Sequence, residues 1–117
     1  MTKLSEVQKF QVEKLKLEIY PSREAAGAAA AQAAAEALKK LSQTIGNIGV
    51  IFATGASQID TLKALTEIPG LPWDRIRGFH MDEYIGISVD HPASFRRYMR
   101  EKLTSRVPML EFFGVNG

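Results

Sequence analysis

The sequence contains no cysteine, a single tryptophan and five prolines in 117 residues. Without cysteine there is no disulfide framework, no thiolate metal site and no thiol nucleophile; a reducing, cytoplasmic compartment fits. Long hydrophobic runs are missing too. No stretch approaches the ~18 consecutive apolar residues of a membrane span, and the opening Met-Thr-Lys-Leu-Ser-Glu has no apolar core of signal-peptide length. A soluble protein with no membrane partner is expected. There is no block of one charge either: fifteen basic residues are dispersed among thirteen acidic ones, for a net charge of +2. Dispersal of this kind does not imply nucleic acid as a partner. The densest basic group, Arg96, Arg97, Arg100 and Lys102, falls in a helical pattern and reads as that helix's solvated face.

What is present is the composition of one globular domain, with 45% hydrophobic and 24% charged residues. Residues 10 to 20 carry Phe10, Val12, Leu15, Leu17 and Ile19, near-alternating at their end, and predict a strand closed by Pro21. Ser22 can cap a helix that runs through a segment of alanine, glutamate, glutamine, lysine and leucine to Leu41, anchored by Leu38 and Leu41. Ile48 to Ala53 is a short apolar run between turn residues, as expected of a strand buried on both faces. Thr54-Gly55-Ala56 turns the chain, and Ser57 with Asp60 forms a weak capping-box pattern. Ile59, Leu62, Leu65 and Ile68 then follow at helical spacing until Pro69-Gly70. Arg75 to Met81 predicts a strand and Asp82 to Asp90 a loop. Pro92 suits the first turn of a helix whose face is Phe95, Tyr98, Met99 and Leu103. Val107 to Val115 predicts a last strand.

Strand-helix three times, then a strand, argues for a parallel α/β sheet with helical crossovers. With no helix after the last strand, apolar surface should be left bare. A single α/β domain over residues 1–117, forming the N-terminal portion of a longer domain, is therefore expected.

In open parallel sheets ligands bind beyond the carboxyl ends of the strands. Two loops stand there. Thr54-Gly55-Ala56-Ser57 leads into a helix, so backbone N–H groups and the positive end of the helix dipole face outward and suit a phosphate. Gly55 permits close backbone approach, and Thr54 and Ser57 add hydroxyl donors. A small-residue turn before a helix is also a common tight connection. Met81-Asp82-Glu83-Tyr84 places two carboxylates and a phenol at the next strand's end. That is either a solvated loop or, if a phosphate on the neighbouring turn fixes a substrate carbon nearby, a base for a proton next to a carbonyl. His80 is either a core histidine or a group that tunes Asp82 or touches substrate. His91, in Asp90-His91-Pro92, shapes the helix entry. No two histidines stand at metal-ligand spacing, so no metal is expected.

Thr54-Gly55-Ala56-Ser57 before a helix, Gly78-Phe79-His80-Met81-Asp82-Glu83-Tyr84-Ile85-Gly86, and Asp90-His91-Pro92-Ala93-Ser94-Phe95 closely resemble, in the right order, the glucosamine-6-phosphate deaminase/isomerase family. The Met-Asp-Glu-Tyr loop with its trailing Asp-His-Pro is the specific part. The resemblance implies the Rossmann-like three-layer α/β fold of sugar-phosphate isomerases, here only its front part. It also implies conversion of glucosamine 6-phosphate to fructose 6-phosphate and ammonia without an organic cofactor. Asp82 matches the base that moves a proton between C2 and C1 of the opened sugar, and Thr54 to Ser57 the phosphate loop. The sequence departs from the family at Ala56, often glycine, at Gln58, often proline, and at His80, frequently asparagine.

The expected site is thus Asp82 and Glu83 as catalytic carboxylates, with Thr54, Gly55, Ala56, Ser57, His80 and Tyr84 against substrate. The resemblance also implies a later half that brings the ring-opening histidine, its acidic neighbours and further basic phosphate ligands, none of which is among these residues. The expected partners are a small-molecule sugar phosphate and either further copies of the chain or a C-terminal half. A related isomerase or 6-phosphogluconolactonase-like hydrolase is the alternative, although Tyr84 stands where lactonases tend to carry an Asp-Glu-Arg type loop. A non-catalytic sugar-phosphate sensor is a third.

Overall fold

A computed structural model describes residues 7–117. Three strands, β3 (Ile48–Phe52), β4 (Ile76–His80) and β5 (Glu111–Phe113), form a parallel sheet in the order β3-β4-β5. Helix α1 (Arg23–Ser42) precedes β3, α2 (Ile59–Glu67) connects β3 to β4, and α3 (Phe95–Met99) lies between β4 and β5. The α/β class with a parallel sheet is as the sequence predicts.

Local chemistry explains most of the element boundaries. Ser22 caps α1, its hydroxyl accepting from the Ala25 N–H at 3.0 Å, and the alanine-rich interior loses little side-chain entropy on folding. Small side chains let α1 lie against α2, closest where Gly27 faces Asp60; a Cβ there would stand 2.7 Å from the Asp60 Cβ. Asp60 does not cap α2. That helix starts at Gln58 without a side-chain cap, and the Asp60 carboxylate instead pairs with Arg23 at 2.9 Å. The capping-box reading of Ser57 fails because a 3-10 turn, Ala56–Gln58, comes first. Leu38 is buried as expected, whereas Leu41, the other expected anchor, is exposed.

Arg75 fastens the far end of α1. Its guanidinium donates to the carbonyls of Ser42 and Gly46 at 3.0 and 2.6 Å and to that of Ile45. A cation there complements the carbonyl end of the helix.

Ser94, not Pro92, opens α3, its hydroxyl accepting from the Arg97 N–H. Beyond Met99 the helix widens into a π turn, Arg100–Thr104, where the Ser105 N–H reaches back five residues to the Arg100 carbonyl. Met99 and Leu103 are fully buried on this helix, and they join Ile48, Phe52, Leu62, Leu65, Trp73 and Ile76 in one core.

Two expectations fail in instructive ways. Residues 10 to 20 are not one strand of the parallel sheet. Gln8–Val12 (β1) and Leu15–Ile19 (β2) fold on each other as an antiparallel hairpin, pairing Phe10 with Leu17 and Val12 with Leu15. Alternation specifies a strand with one apolar face but not its partner, and the reversal at Glu13 and Lys14 supplies one next door. Nor is β3 buried on both faces. The helices cover the face of Ile48, Val50 and Phe52, while Ile51 is 70% exposed on the other, beside a stacked Phe79–Phe113 pair with ring centroids 5.0 Å apart. Among the described residues helices cover one face of the sheet, and the other face, with Ile51, Phe79 and Phe113, is apolar and bare.

Candidate functional site

Strands β3 and β4 end side by side. Phe52 and His80 are their last paired residues, so Thr54 and Asp82 each stand two residues beyond, on strands about 4.8 Å apart. The sheet thereby brings the two sequence-predicted loops to one edge.

The turn after β3 depends on Gly55. Its φ of 106° and ψ of 172° lie in a region that is essentially glycine's alone. From there the chain enters the Ala56–Gln58 turn, closed by the Gln58 N–H on the Gly55 carbonyl at 3.2 Å, and continues as α2. The first N–H groups of such a helix have no carbonyl of their own helix to meet. Ala56 and Ser57 are exposed, Thr54 and Gly55 half-buried. The same Gly55 carbonyl also accepts the Tyr98 hydroxyl at 2.7 Å. Burial raises the Tyr98 phenol above its ordinary value, so it remains a proton donor at neutral pH.

The turn after β4 separates its two carboxylates completely. Asp82 is exposed, and no hydrogen bond or ion pair among the described residues engages its carboxylate. Glu83 is the opposite: its side chain is 0% exposed. Oε1 accepts from the N–H groups of Tyr84 and Phe95 at 3.1 and 2.9 Å. Oε2 accepts from the Ser94 hydroxyl at 2.8 Å, the Arg96 N–H at 3.0 Å and Arg96 Nε at 2.9 Å.

Burial by itself would push the Glu83 carboxyl up. The backbone donors of Phe95 and Arg96, the Ser94 hydroxyl and the Arg96 guanidinium outweigh it and hold the carboxyl well below the usual range. Glu83 is ionised, and both of its oxygens are engaged by donors.

Arg96 is equally committed. Besides Glu83 it donates to the Ile87 carbonyl at 2.8 Å and to Asn116 Oδ1 at 3.3 Å. The expectation of a solvated basic face therefore fails for Arg96, because Glu83 draws it inward. Arg97 and Arg100 do face outward, toward Glu101 and Asp90.

His80 lies on the helix-covered face with Ile76 and Gly78 and is 5% exposed. Its Nε2 accepts from the Val115 N–H at 2.8 Å, which assigns the proton of the neutral ring to Nδ1, an atom without a partner among the described residues. The ring stacks on Phe112 at 5.8 Å. Tyr84 lies over Phe95, centroids 5.1 Å apart, with one half of the residue in solvent.

Sequence reasoning missed Ser94, Arg96 and Tyr98. Serine directly before the Phe95 helical pattern is a cap signal that could have located the helix start. Nothing local marks Tyr98, whose bonding partner is 43 residues away.

A glucosamine-6-phosphate deaminase of Geobacillus sp. (strain WCH70) is 38% identical over 71 residues, 56% of this chain and 28% of its own. Over part of its length the chain is similar to glucosamine-6-phosphate deaminases. It spans less than a third of the length of that deaminase relative.

No protein-family model matches the chain. Among solved structures, a 6-phosphogluconolactonase from Shewanella baltica OS155 superimposes with a TM-score of 0.73 at 21% identity, over 82% of this chain and 41% of that one. A monomeric glucosamine-6-phosphate deaminase described as a missing link of the NagB superfamily gives 0.70 at 24%, over 82% and 40%. At these identities the two structures show the fold alone, and it is one that deaminase and lactonase share. Among the described residues no helix is long and apolar enough to cross a membrane.

Proposed function

We propose that this chain carries the base and phosphate loop of an amino-sugar phosphate isomerase-deaminase, converting glucosamine 6-phosphate and water to fructose 6-phosphate and ammonia. The observation that supports it most is the pairing of an unengaged carboxylate, Asp82, with a glycine-dependent helix-entry turn on the adjacent strand. In this reading the backbone N–H groups of Ala56 and Ser57, with the Thr54 and Ser57 hydroxyls, hold the phosphate. That fixes the carbon chain of the opened sugar against Asp82.

Asp82 removes the proton from C2, which the C1 aldehyde acidifies, and the proton returns to C1. Carbon 2 then carries an imine, which water cleaves to a ketone and ammonia. An exposed carboxylate that no donor among the described residues engages is free to approach a substrate proton. Glu83 lacks that freedom, so its part is to hold the loop, and Tyr84 borders the substrate from above Phe95.

On this reading the 117 residues by themselves bind sugar phosphate weakly and turn over little, because ring opening needs groups they do not contain. The shared fold of the lactonase structure favours one other reading, hydrolysis of a 6-phosphogluconate lactone. Incubating the native full-length protein with glucosamine 6-phosphate and with the lactone decides between them. Ammonia release is the expected result; lactone hydrolysis without ammonia release transfers the site to the other chemistry. Ammonia release at an ordinary enzymatic rate by the isolated 117 residues contradicts the division of labour.

A further inference from the structure

The two loops of the site do not contact each other through a bond of their own, yet one element holds both. At its N-terminal end α3 carries Ser94, Phe95 and Arg96, whose hydroxyl, N–H groups and guanidinium grip Glu83, the residue next to Asp82. One turn further on, the same helix carries Tyr98, whose hydroxyl holds the Gly55 carbonyl of the other loop at 2.7 Å. Below these contacts Met99 and Leu103 are fully buried, so the helix is set in the close-packed core.

We propose that α3 is a strut that sets the spacing between the Asp82 base and the Thr54–Ser57 phosphate turn, with Glu83 and Tyr98 as its positioning residues. The proposal rests on the site reading above and deepens it. A phosphate turn and a base on separate strand ends each tolerate displacement on their own. A substrate that must reach both at once does not, because misplacing the reacting carbon by about 1 Å can cost on the order of 100-fold in rate. Fixing both to one rigid helix removes that freedom. Tyr98 belongs to the Gly55 arm and Glu83 to the Asp82 arm, so each can be released separately.

The experiment compares a ligand that uses one loop with a substrate that uses both, in the native full-length protein. Tyr98→Phe removes a single hydroxyl and keeps the ring packing. The expected result is that the inhibition constant of inorganic phosphate stays within about twofold while kcat/KM for glucosamine 6-phosphate falls by about tenfold or more. Glu83→Gln, which frees the other arm, should lower kcat with phosphate inhibition again unchanged. If Glu83→Gln fails to fold, the Tyr98→Phe result decides alone.

Equal weakening of phosphate and substrate in Tyr98→Phe overturns the strut, since Tyr98 would then only support the turn. An unchanged kcat/KM overturns it as well. Failure of the underlying site reading looks different: Asp82→Asn retains turnover, or inorganic phosphate does not compete in the unsubstituted protein.

Discussion

Arg96 donates to one oxygen of Glu83 twice, through its backbone N–H at 3.0 Å and through Nε at 2.9 Å. A residue that satisfies its partner from both main chain and side chain leaves that partner no rotamer to explore. The loop holding Asp82 is therefore anchored by the residue beside it, while Asp82 itself stays unengaged.

Glu83→Ala should be among the most damaging single changes in the chain. It strands an Arg96 guanidinium, a buried Ser94 hydroxyl and helix-terminal N–H groups without their acceptor. Removing one partner of a buried charged network costs about 3–5 kcal/mol. Chemical denaturation at neutral pH measures this; a loss below about 1 kcal/mol would mean that water replaces the carboxylate without penalty.

The same carboxylate sets an acid limit. Its folded-state pKa lies below its ordinary 4.5, so its contribution to stability is complete above about pH 4.5 and fades as pH falls through the acid range. Thermal midpoints should be insensitive to this group between pH 8 and about pH 5 and should fall more steeply below that. In Glu83→Gln the acid fall becomes shallower. An equally steep fall in the variant would assign acid lability to other carboxylates.

Gly55→Ala separates backbone strain from crowding. A Cβ at Gly55 meets nothing within 4 Å, so any cost comes from φ at 106°. Holding a non-glycine residue there costs on the order of 1–3 kcal/mol, and relief of that strain would turn the outward N–H groups away. Phosphate and sugar-phosphate affinity should fall together by roughly tenfold. Titration with inorganic phosphate followed by NMR measures it, and unchanged affinity would remove this turn from the binding site.

At Gly27 two effects compete and their sizes decide the sign. Alanine in a helix interior gains about 0.5–1 kcal/mol over glycine. Here the new Cβ would stand 2.7 Å from the Asp60 Cβ and 2.9 Å from its carbonyl carbon, close to backbone that cannot swing away. Overpacking of that kind costs about 1–3 kcal/mol, so Gly27→Ala should be net destabilising by roughly 1–2 kcal/mol in denaturant melts. A stabilised variant would show that α1 and α2 can separate freely.

Much of this architecture is legible in the sequence because its signals are local. Ser22 and the alanine run announce α1, Ile48 to Phe52 announce β3, and Leu62 with Leu65 marks the buried side of α2. The loops at Thr54 and Asp82 are legible for the same reason, as breaks between strong patterns. What escapes is what depends on partners far along the chain. Leu15, Leu17 and Ile19 show a strand but not that it pairs with Gln8–Val12, and the exposure of Ile51 depends on which segments pack over the sheet. Glu83 and Asp82 are adjacent and chemically alike. Only the approach of Ser94 and Arg96 separates a saturated carboxylate from an exposed one.

The central claim is that Asp82 moves a proton between C2 and C1 of a phosphate-anchored sugar. Its most direct test is deuterium incorporation at C1 of fructose 6-phosphate, formed from glucosamine 6-phosphate in heavy water by the native full-length protein and by Asp82→Asn. The account predicts turnover and label incorporation falling by at least about a hundredfold in the variant, with sugar-phosphate affinity kept within a few-fold. Turnover and incorporation that persist in Asp82→Asn would contradict it.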